Sequence, residues 1–478
     1  MEGVKKINVF RRGHVDMTTG STVRHLILFA IPLLAGNVFQ LLYNTVDTWV
    51  VGNFVNDAAF AAVGTVGPII NLLVGFFGGL ATGAGVVISQ FYGAKDDEMV
   101  ERATHAAAII TVVLAVLFTI IGTAMVPLML RLIKTPAEVM NESTTYLSIY
   151  FAGIASLMVY NMGAGVLRAV GDSTRPFGFL VVTSLLNIAL DLLFVIVFGW
   201  GVAGVAIATV LAQTVSALLV VIELLRYKGA IRIVPRRFIN SVRNMRDTAP
   251  VLKKICVIGL PTAVQMSIVS FSNVFVQSYI NHFGKECMAG WTAYAKIDQF
   301  VLLPMQSLAH SASTFVGQNL GSGQIDRAKK GANVALLLAL ASTAILLIPI
   351  LSFAPLLVEI FIPEASAIEF GTLFLRTLSP FYLLCCVNQT YAGALRGSGN
   401  TKIPMFIMLG SFVLFRQCYL FIVANFISNT VVPIAMAYPA GWLVASLAVS
   451  IAYKLNDFSR SPIVRRRAEA DDKSVESV

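Results

Sequence analysis

The chain has 478 residues, of which 57% are hydrophobic and 13% are charged, and its net charge is +10. Soluble domains carry about 25% charged residues, so this composition excludes a soluble globular protein and indicates an integral membrane protein. The positive charge does not indicate nucleic-acid binding, because the basic residues flank apolar segments, with five in 5–24, nine in 226–254 and six in 454–473. This placement is typical of the cytoplasmic loops of a multi-span protein.

The apolar runs predict twelve spanning helices, because each run is 18 or more residues long and about 20 residues cross the hydrocarbon core. They cover residues 25–50, 60–88, 104–130, 143–166, 177–200, 202–225, 256–282, 291–316, 332–361, 368–394, 403–426 and 432–453. An even number of helices puts both termini on one side, and the loop charges make that side the cytoplasm. No signal peptide is expected, because the first 24 residues are polar and basic.

The chain contains an internal repeat with a period of about 228 residues. LRAVGDSTRPF at 167–177 matches LRGSGNTKIPM at 395–405, and QFYGAKD from Gln90 matches QNLGSGQ from Gln318. Two six-helix repeats with the same membrane orientation are one architecture of secondary transporters, with the substrate site between the halves. We predict a cytoplasmic segment at 1–24, an N-lobe at 25–225, a basic cytoplasmic linker at 226–255, a C-lobe at 256–453 and a cytoplasmic tail at 454–478.

The fifth predicted helix carries a carboxylate near its middle. Asp191 lies in the apolar run from Phe177 to Trp200, and Asn187 lies one helical turn before it on the same face. An ionised Asp at that depth costs roughly 2.5–3.5 kcal/mol, so we expect it to have a partner or a function. A second intramembrane acid, Asp47, lies on the first helix. We therefore predict a cation or proton site in the first half. The second half lacks these groups, because the positions matching 47, 187 and 191 hold Val276, Phe415 and Tyr419.

Five motifs occur in order along the chain: YNTVDT (43–48), SQFYGAKD (89–96), LRAVGDSTRP (167–176), NIALD (187–191) and GVAGVAIAT (201–209). Together they resemble the multidrug and toxic compound extrusion (MATE) family, and most of all its bacterial branch of damage-inducible and multidrug transporters. The resemblance covers residues 18–455. It implies an all-α, MATE/MOP-like membrane fold in which two six-helix repeats form a V-shaped bundle around a central cavity.

The resemblance also implies a function. It indicates a monomeric antiporter of the bacterial cytoplasmic membrane that exports cationic or amphipathic drugs by alternating access while Na+ or H+ enters. The implied partners are these small molecules and membrane lipid, with no nucleic acid. No cofactor is expected besides the coupling ion. Neither the choice between Na+ and H+ nor the identity of the substrate follows from the sequence.

Carried over position by position, the resemblance implies that Asp47, Asn187, Asp191 and Thr209 form the proton or Na+ site. It places polar groups around that site at Tyr43, Tyr146 and Asn161, to which the spacing from Asp47 adds Asn44, and it makes Pro32 a hinge in the first helix.

The residue chemistry agrees with such a site and leaves alternatives. Two carboxylates in a low-dielectric lobe cannot both stay ionised at low cost, and one proton or one Na+ relieves the conflict. Asn187 and Thr209 add neutral oxygens, which a hard cation accepts. The alternatives are that the acids are hydrogen-bonded groups joining helices, that the Thr209 hydroxyl bonds its own helix backbone, and that Pro32 is a packing kink.

The second half offers a separate polar group, which consists of Lys296, Asp298, His310 and Arg376. These side chains are interpreted either as lining for a substrate cavity or as a structural network between helices. Lys296 and Asp298 are two residues apart and point to different faces, so they are not expected to pair with each other.

Two other functions compete with ion-coupled export. An intramembrane hydrolase using His310, Ser311 and Asp298 is disfavoured, because Asp298 lies twelve residues from His310 on one helix. The runner-up is a lipid-linked oligosaccharide flippase of the same superfamily, which would need a strongly cationic cavity. The predicted spans contain only Lys296, Arg376 and Arg416 as basic residues. We therefore predict a transporter and not an enzyme.

Overall fold

The computed structural model describes residues 15–55, 57–461 and 463–465. The predicted amino-terminal segment before residue 15 and the predicted tail beyond residue 465 lie outside this part of the chain. The described residues are almost entirely helical and include no strand. In the first half the helices are α1 (Thr22–Phe54), α2 (Asp57–Gly93), α3 (Asp97–Leu132), α4 (Met140–Ala152), α5 (Ile154–Ala169), α6 (Thr174–Asp191) and α7 (Gly201–Arg226).

A short helix, α8 (Pro235–Arg243), connects the halves. In the second half the helices are α9 (Met245–Ile280), α10 (Lys285–Gly321), α11 (Ile325–Ser352), α12 (Ala354–Glu359), α13 (Ala365–Leu378), α14 (Tyr382–Gly397), α15 (Lys402–Met408), α16 (Arg416–Ile422), α17 (Val431–Ala435) and α18 (Ala437–Leu455). Wider π-helical segments follow α6, α15 and α16, at Leu192–Val197, Leu409–Phe415 and Val423–Ile427.

The helices form twelve passes, as the sequence predicts. Within the described residues, ten helical segments are long and apolar enough to span a membrane, and the pair α4 and α5, bent by 48° at Gly153, makes an eleventh. The remaining pass is α10, which has 37 residues but a more polar sequence. The all-helical membrane fold is therefore confirmed.

The helix ends differ from the predicted spans near the linker. The seventh span was expected to begin at residue 256, but α9 begins at Met245, and part of the predicted linker forms α8. An apolar run marks only the part of a helix that lies in the hydrocarbon core, whereas the helix itself continues beyond it. Asp247 in the first turn of α9 favours the earlier start, because an acid there interacts well with the helix dipole.

The two halves pack together through α2 and α9, which approach closely along a row of small residues. A Cβ atom on Gly79 would overlap the backbone of Ala263, and one on Gly83 would overlap the backbone of Gly259. Small residues four apart allow this approach, as in other membrane helix pairs.

The halves also meet at the end of the bundle that carries residues 22 and 455, which we call the inner end. The Gln90 side chain at the end of α2 donates a hydrogen bond of 3.0 Å to the Gly397 carbonyl, and Gln318 at the end of α10 donates one of 2.9 Å to the Ala169 carbonyl. These four residues define the inner seam. The chain before α1 also contributes, because the Met17 amide donates to the Gln318 side chain.

Candidate functional site

The two intramembrane acids of the first half lie together between α1 and α6. The carboxyl groups of Asp47 and Asp191 lie close enough to interact directly with each other. Asp47 is 6% exposed and Asp191 is fully buried. As two ionised acids they have no hydrogen to share, and among the described residues both oxygens of Asp191 and Oδ1 of Asp47 lack a hydrogen-bond partner. A single proton or a cation between them would supply that partner.

Asn187 adds a neutral polar group to the pair. It lies on α6 one turn before Asp191, is 2% exposed, and both its amide oxygen and its amide nitrogen are buried without a partner. α6 ends at Asp191 and continues as the π-helical segment Leu192–Val197. Such wide turns are frequent at functional sites, because they alter which side chains share one face.

The donor set fits a proton or an alkali cation. No group of three or more His, Cys, Asp and Glu side chains suited to a metal ion occurs in the described part of the chain. The buried atoms without partners belong instead to two carboxylates and one amide. Two carboxylates and neutral oxygens are hard oxygen ligands, which suit Na+ and not a thiolate- or imidazole-seeking metal.

Thr209 lies at the edge of this cluster on α7 and is 6% exposed. Its hydroxyl donates a 3.0 Å hydrogen bond to the Val205 carbonyl of its own helix, the alternative that the sequence left open. The same hydroxyl lies against that of Tyr146. Because its hydrogen is used on the backbone, its oxygen retains only the capacity to accept a hydrogen bond or to bind a cation.

The four surrounding residues are placed differently from one another. Tyr146 lies close to both carboxylates, and Tyr43 lies close to Asp47. Asn161 instead donates to the Leu157 carbonyl one turn back on its own helix. Asn44 is exposed and lies outside the buried cluster. The structure thus brings the two tyrosines to the acids but not the two asparagines.

Pro32 is buried within α1, which is continuous from Thr22 to Phe54. One turn later, Gly36 packs against Phe177 and Leu180 of α6. The absent amide hydrogen of Pro32 leaves one backbone carbonyl of α1 without its helical partner. The role of Pro32 as a hinge stays a prediction.

The polar group predicted in the second half is dispersed. Asp298 accepts a 3.4 Å hydrogen bond from the Tyr294 hydroxyl, which in turn accepts one from Tyr382. Arg376 is exposed and Lys296 is half-buried. Because α10 is continuous, His310 lies about 18 Å along the helix from Asp298. These four residues do not form one site, and the hydrolase arrangement with Ser311 has no geometric support, since the Ser311 hydroxyl donates to the Leu26 carbonyl.

The repeated segments 167–177 and 395–405 each carry an arginine that lies at the contact between the halves. Arg396 is 3% exposed and donates a 3.3 Å hydrogen bond to Gln265, while Arg168 is half-buried. Both lie near His310, at the contact between the halves. The occurrence of arginine at matching positions of both repeats was the feature of the sequence that could have indicated this location. It also fits a turn, because Gly171 and Gly399 nearby have φ values of +87° and +88°.

The model of the MatE family matches residues 32–193 and 261–422, one match in each half. The chain is similar to two Bacillus subtilis proteins. It is 28% identical to the probable multidrug resistance protein YpnP over 84% of this chain and 88% of that one, and 29% identical to YoeA over 90% and 93%.

The fold is similar to that of a MOP superfamily transporter from Pyrococcus furiosus. The TM-score is 0.85 at 22% identity, and the match covers 93% of this chain and 97% of that one. The two family matches begin 229 residues apart, close to the repeat period found in the sequence.

Proposed function

Since the chain belongs to the MatE family, we propose that it is a cation-coupled antiporter that exports cationic or amphipathic compounds while Na+ or H+ enters. The names of the Bacillus relatives, both probable multidrug resistance proteins, support this substrate class. The two matched halves support transport by alternate opening of the space between them. The basic loops favour a cytoplasmic location for both termini, and hence for the inner end.

The observation that carries the proposal is the buried pair of Asp47 and Asp191, in which Oδ1 of Asp47 and both oxygens of Asp191 lack partners among the described residues. Buried polar atoms without hydrogen bonds are costly, and a native structure retains them where a ligand supplies the bond. Because the pair bridges α1 and α6, its ligand acts on two helices at once.

The charge of Asp47 and Asp191 couples ion binding to the separation of α1 from α6. Two ionised carboxylates repel each other, so the empty site favours separation of the two helices. A proton or a Na+ between them removes the repulsion and holds the two helices together. A ligand shifts a conformational equilibrium only by binding one conformation more tightly, and a cation that needs both carboxylates meets this condition.

The negative charge of the two carboxylates also explains why the coupling ion and the cargo exchange for each other. A cationic cargo is attracted by the carboxylates that attract the coupling ion, so the two oppose each other's binding. Such a coupling is reciprocal, because the ion lowers the affinity for cargo by the factor by which cargo lowers the affinity for the ion. Exchange of one for the other across the membrane is antiport.

A lipid-linked oligosaccharide flippase is the second candidate, and the two guanidinium groups near His310, those of Arg168 and Arg396, are the cationic groups that would favour it. The cavity that Arg168 and His310 line has a volume of about 20 Å³. A pyrophosphate group does not fit there, so these residues favour the flippase less than the acid pair favours antiport.

The test is efflux of a cationic dye from proteoliposomes with Na+ and pH gradients imposed separately. Wild-type protein is expected to respond to at least one gradient, and D191N and D47N to neither, because each keeps the shape and removes the charge. The control is D457N, since Asp457 is an exposed acid beyond the last helix. Undiminished gradient-driven efflux by folded D191N contradicts the proposal.

A further inference from the structure

A small cavity lies between the two halves, next to the inner seam. Helices α1, α2 and α5 of the first half and α10 of the second line its volume of about 20 Å³. This exceeds the roughly 10–15 Å³ that admits one water molecule, and it leaves room for one particle of about that size. Its polar lining consists of Thr82, Ser89, Arg168, His310, Ser313 and Thr314.

The charge around this cavity is positive and uncompensated. Arg168 lines it and makes no ion pair with an acid among the described residues. The lining includes no Asp or Glu. Arg396 also lies near His310, and its Nε is buried without a partner. A buried and a half-buried guanidinium group without a counter-ion are costly, because a charge removed from water is normally paired.

The cavity also offers a hydroxyl donor. Ser313 is 3% exposed, and its Oγ is buried with no hydrogen-bond partner. Two other hydroxyls of the lining are already engaged, because Ser89 donates to the Val86 carbonyl at 2.9 Å and Thr82 to the Gly78 carbonyl at 2.8 Å. The remaining donors of the lining are those of Arg168, Ser313, Thr314 and the His310 ring. Hydrogen-bond donors that lack acceptors favour the binding of an anion, because an anion accepts hydrogen bonds.

We propose that this cavity binds one monatomic anion of the chloride class while the inner seam is closed. The guanidinium group of Arg168 supplies the charge, and the Ser313 hydroxyl and His310 donate hydrogen bonds. The small volume favours a monatomic anion over larger anions such as sulfate, phosphate and gluconate. The site is distinct from the acid pair and goes beyond the proposed antiport.

The anion links the halves, because its ligands come from both. Arg168 belongs to α5 of the first half, and His310 and Ser313 belong to α10 of the second. Ala169, next to Arg168, accepts the hydrogen bond of Gln318 in the inner seam. Opening the seam moves these ligands apart, so the anion stabilises the closed form. At an anion concentration 100 times its Kd, the closed form gains about 100-fold in population.

The test uses the purified full chain in nanodiscs with no ion gradient and no cargo. The Tm is measured as chloride replaces gluconate at constant sodium concentration, ionic strength and pH. A saturable rise of about 2 °C or more is expected, and bromide should reproduce it. Equal Tm values in chloride and gluconate, as with a cavity that holds only water, overturn the proposal. An equal rise with sulfate overturns it too, because the small volume favours a monatomic anion.

Matched variants test whether the chloride-dependent rise in Tm comes from binding at this cavity. R168Q is expected to abolish the chloride-dependent rise. S313A, a small change that keeps the fold, is expected to raise the apparent Kd about 5- to 10-fold, through loss of one hydrogen bond to a charged group. R376Q, at an exposed position, should retain the wild-type response. A wild-type response in both R168Q and S313A contradicts the site. D191N should also keep the chloride response, so failure of ion-coupled export is distinguishable from failure of anion binding.

Discussion

Gln90 and Gln318 make the same hydrogen bond in opposite directions across the two halves. Gln90 donates to the carbonyl of Gly397 at 3.0 Å, and Gln318 donates to that of Ala169 at 2.9 Å. The two glutamines are repeat mates, and so are the two carbonyl residues. The glycines one turn further on are also reciprocal, because a Cβ on Gly93 would overlap the Gln318 carbonyl and one on Gly321 would overlap that of Gln90. The inner seam is therefore symmetric, because equivalent positions of the two repeats make its hydrogen bonds and its close contacts.

Replacement of Gln90 by leucine is expected to favour opening of the inner seam. The variant Q90L leaves the buried Gly397 carbonyl without its donor, which costs about 1–3 kcal/mol and shifts the open-to-closed ratio by roughly 5- to 150-fold. Spin labels at the exposed positions 95 and 330, in a background without native cysteines, report the distance between the halves.

The repeat relationship supplies an internal comparison for Q90L. Q318L should act in the same direction and somewhat more strongly, because Gln318 also accepts the 3.1 Å hydrogen bond from the Met17 amide. Q324L, at an exposed position, is the control. An unchanged distance distribution in the double variant Q90L/Q318L would show that these bonds do not hold the seam.

Substitution of Thr209 separates its two possible roles. The Thr209 hydroxyl donates to the Val205 carbonyl, and its oxygen remains able to bind a cation. T209V keeps the side-chain shape and removes the oxygen, so the apparent affinity for the coupling ion is expected to fall about tenfold through loss of one ligand. T209S keeps the oxygen and should stay within about twofold of wild type.

The measurement for Thr209 is the dependence of dye efflux on the concentration of the coupling ion. An unchanged half-saturating concentration in T209V would assign the hydroxyl to its helix backbone alone. The Tm of both variants checks that the difference does not come from folding.

The sequence predicted the positions of the helices better than it predicted which of their side chains are buried. Apolar runs and the repeat located twelve helices, and the position of two acids in those runs led to Asp47 and Asp191, which the structure places together. The ion-binding role of that pair stays a prediction. Asn44 was chosen by spacing alone but is exposed. Residues three apart share one broad helix face, yet their side chains differ in direction by about 60°, which here separates Asn44 from the buried cluster around Asp47.

The contact between the halves could not be read from the sequence for a different reason. Arg168 and Arg396 occupy matching positions of the two repeats, and this match does not say where their side chains lie. Their location depends on how α5 and α14 meet α10, which is a long-range contact. The helical period within one segment carries no information on such a contact.

Substitution of Gly79 tests the helix contact that joins the halves, and its neighbour supplies the control. A Cβ on Gly79 would overlap the backbone of Ala263 on α9, whereas a Cβ on Gly78 meets no atom within 4 Å. G79A is therefore expected to lower the free energy of unfolding by about 1–3 kcal/mol, or to separate the halves, because the obstructing atoms are backbone and cannot rotate away. G78A should be neutral or slightly stabilising, because alanine favours a helix over glycine. The measurement is the Tm of both variants in nanodiscs together with the spin-label distance across the inner seam. Equal behaviour of G79A and G78A would contradict the close approach of α2 and α9.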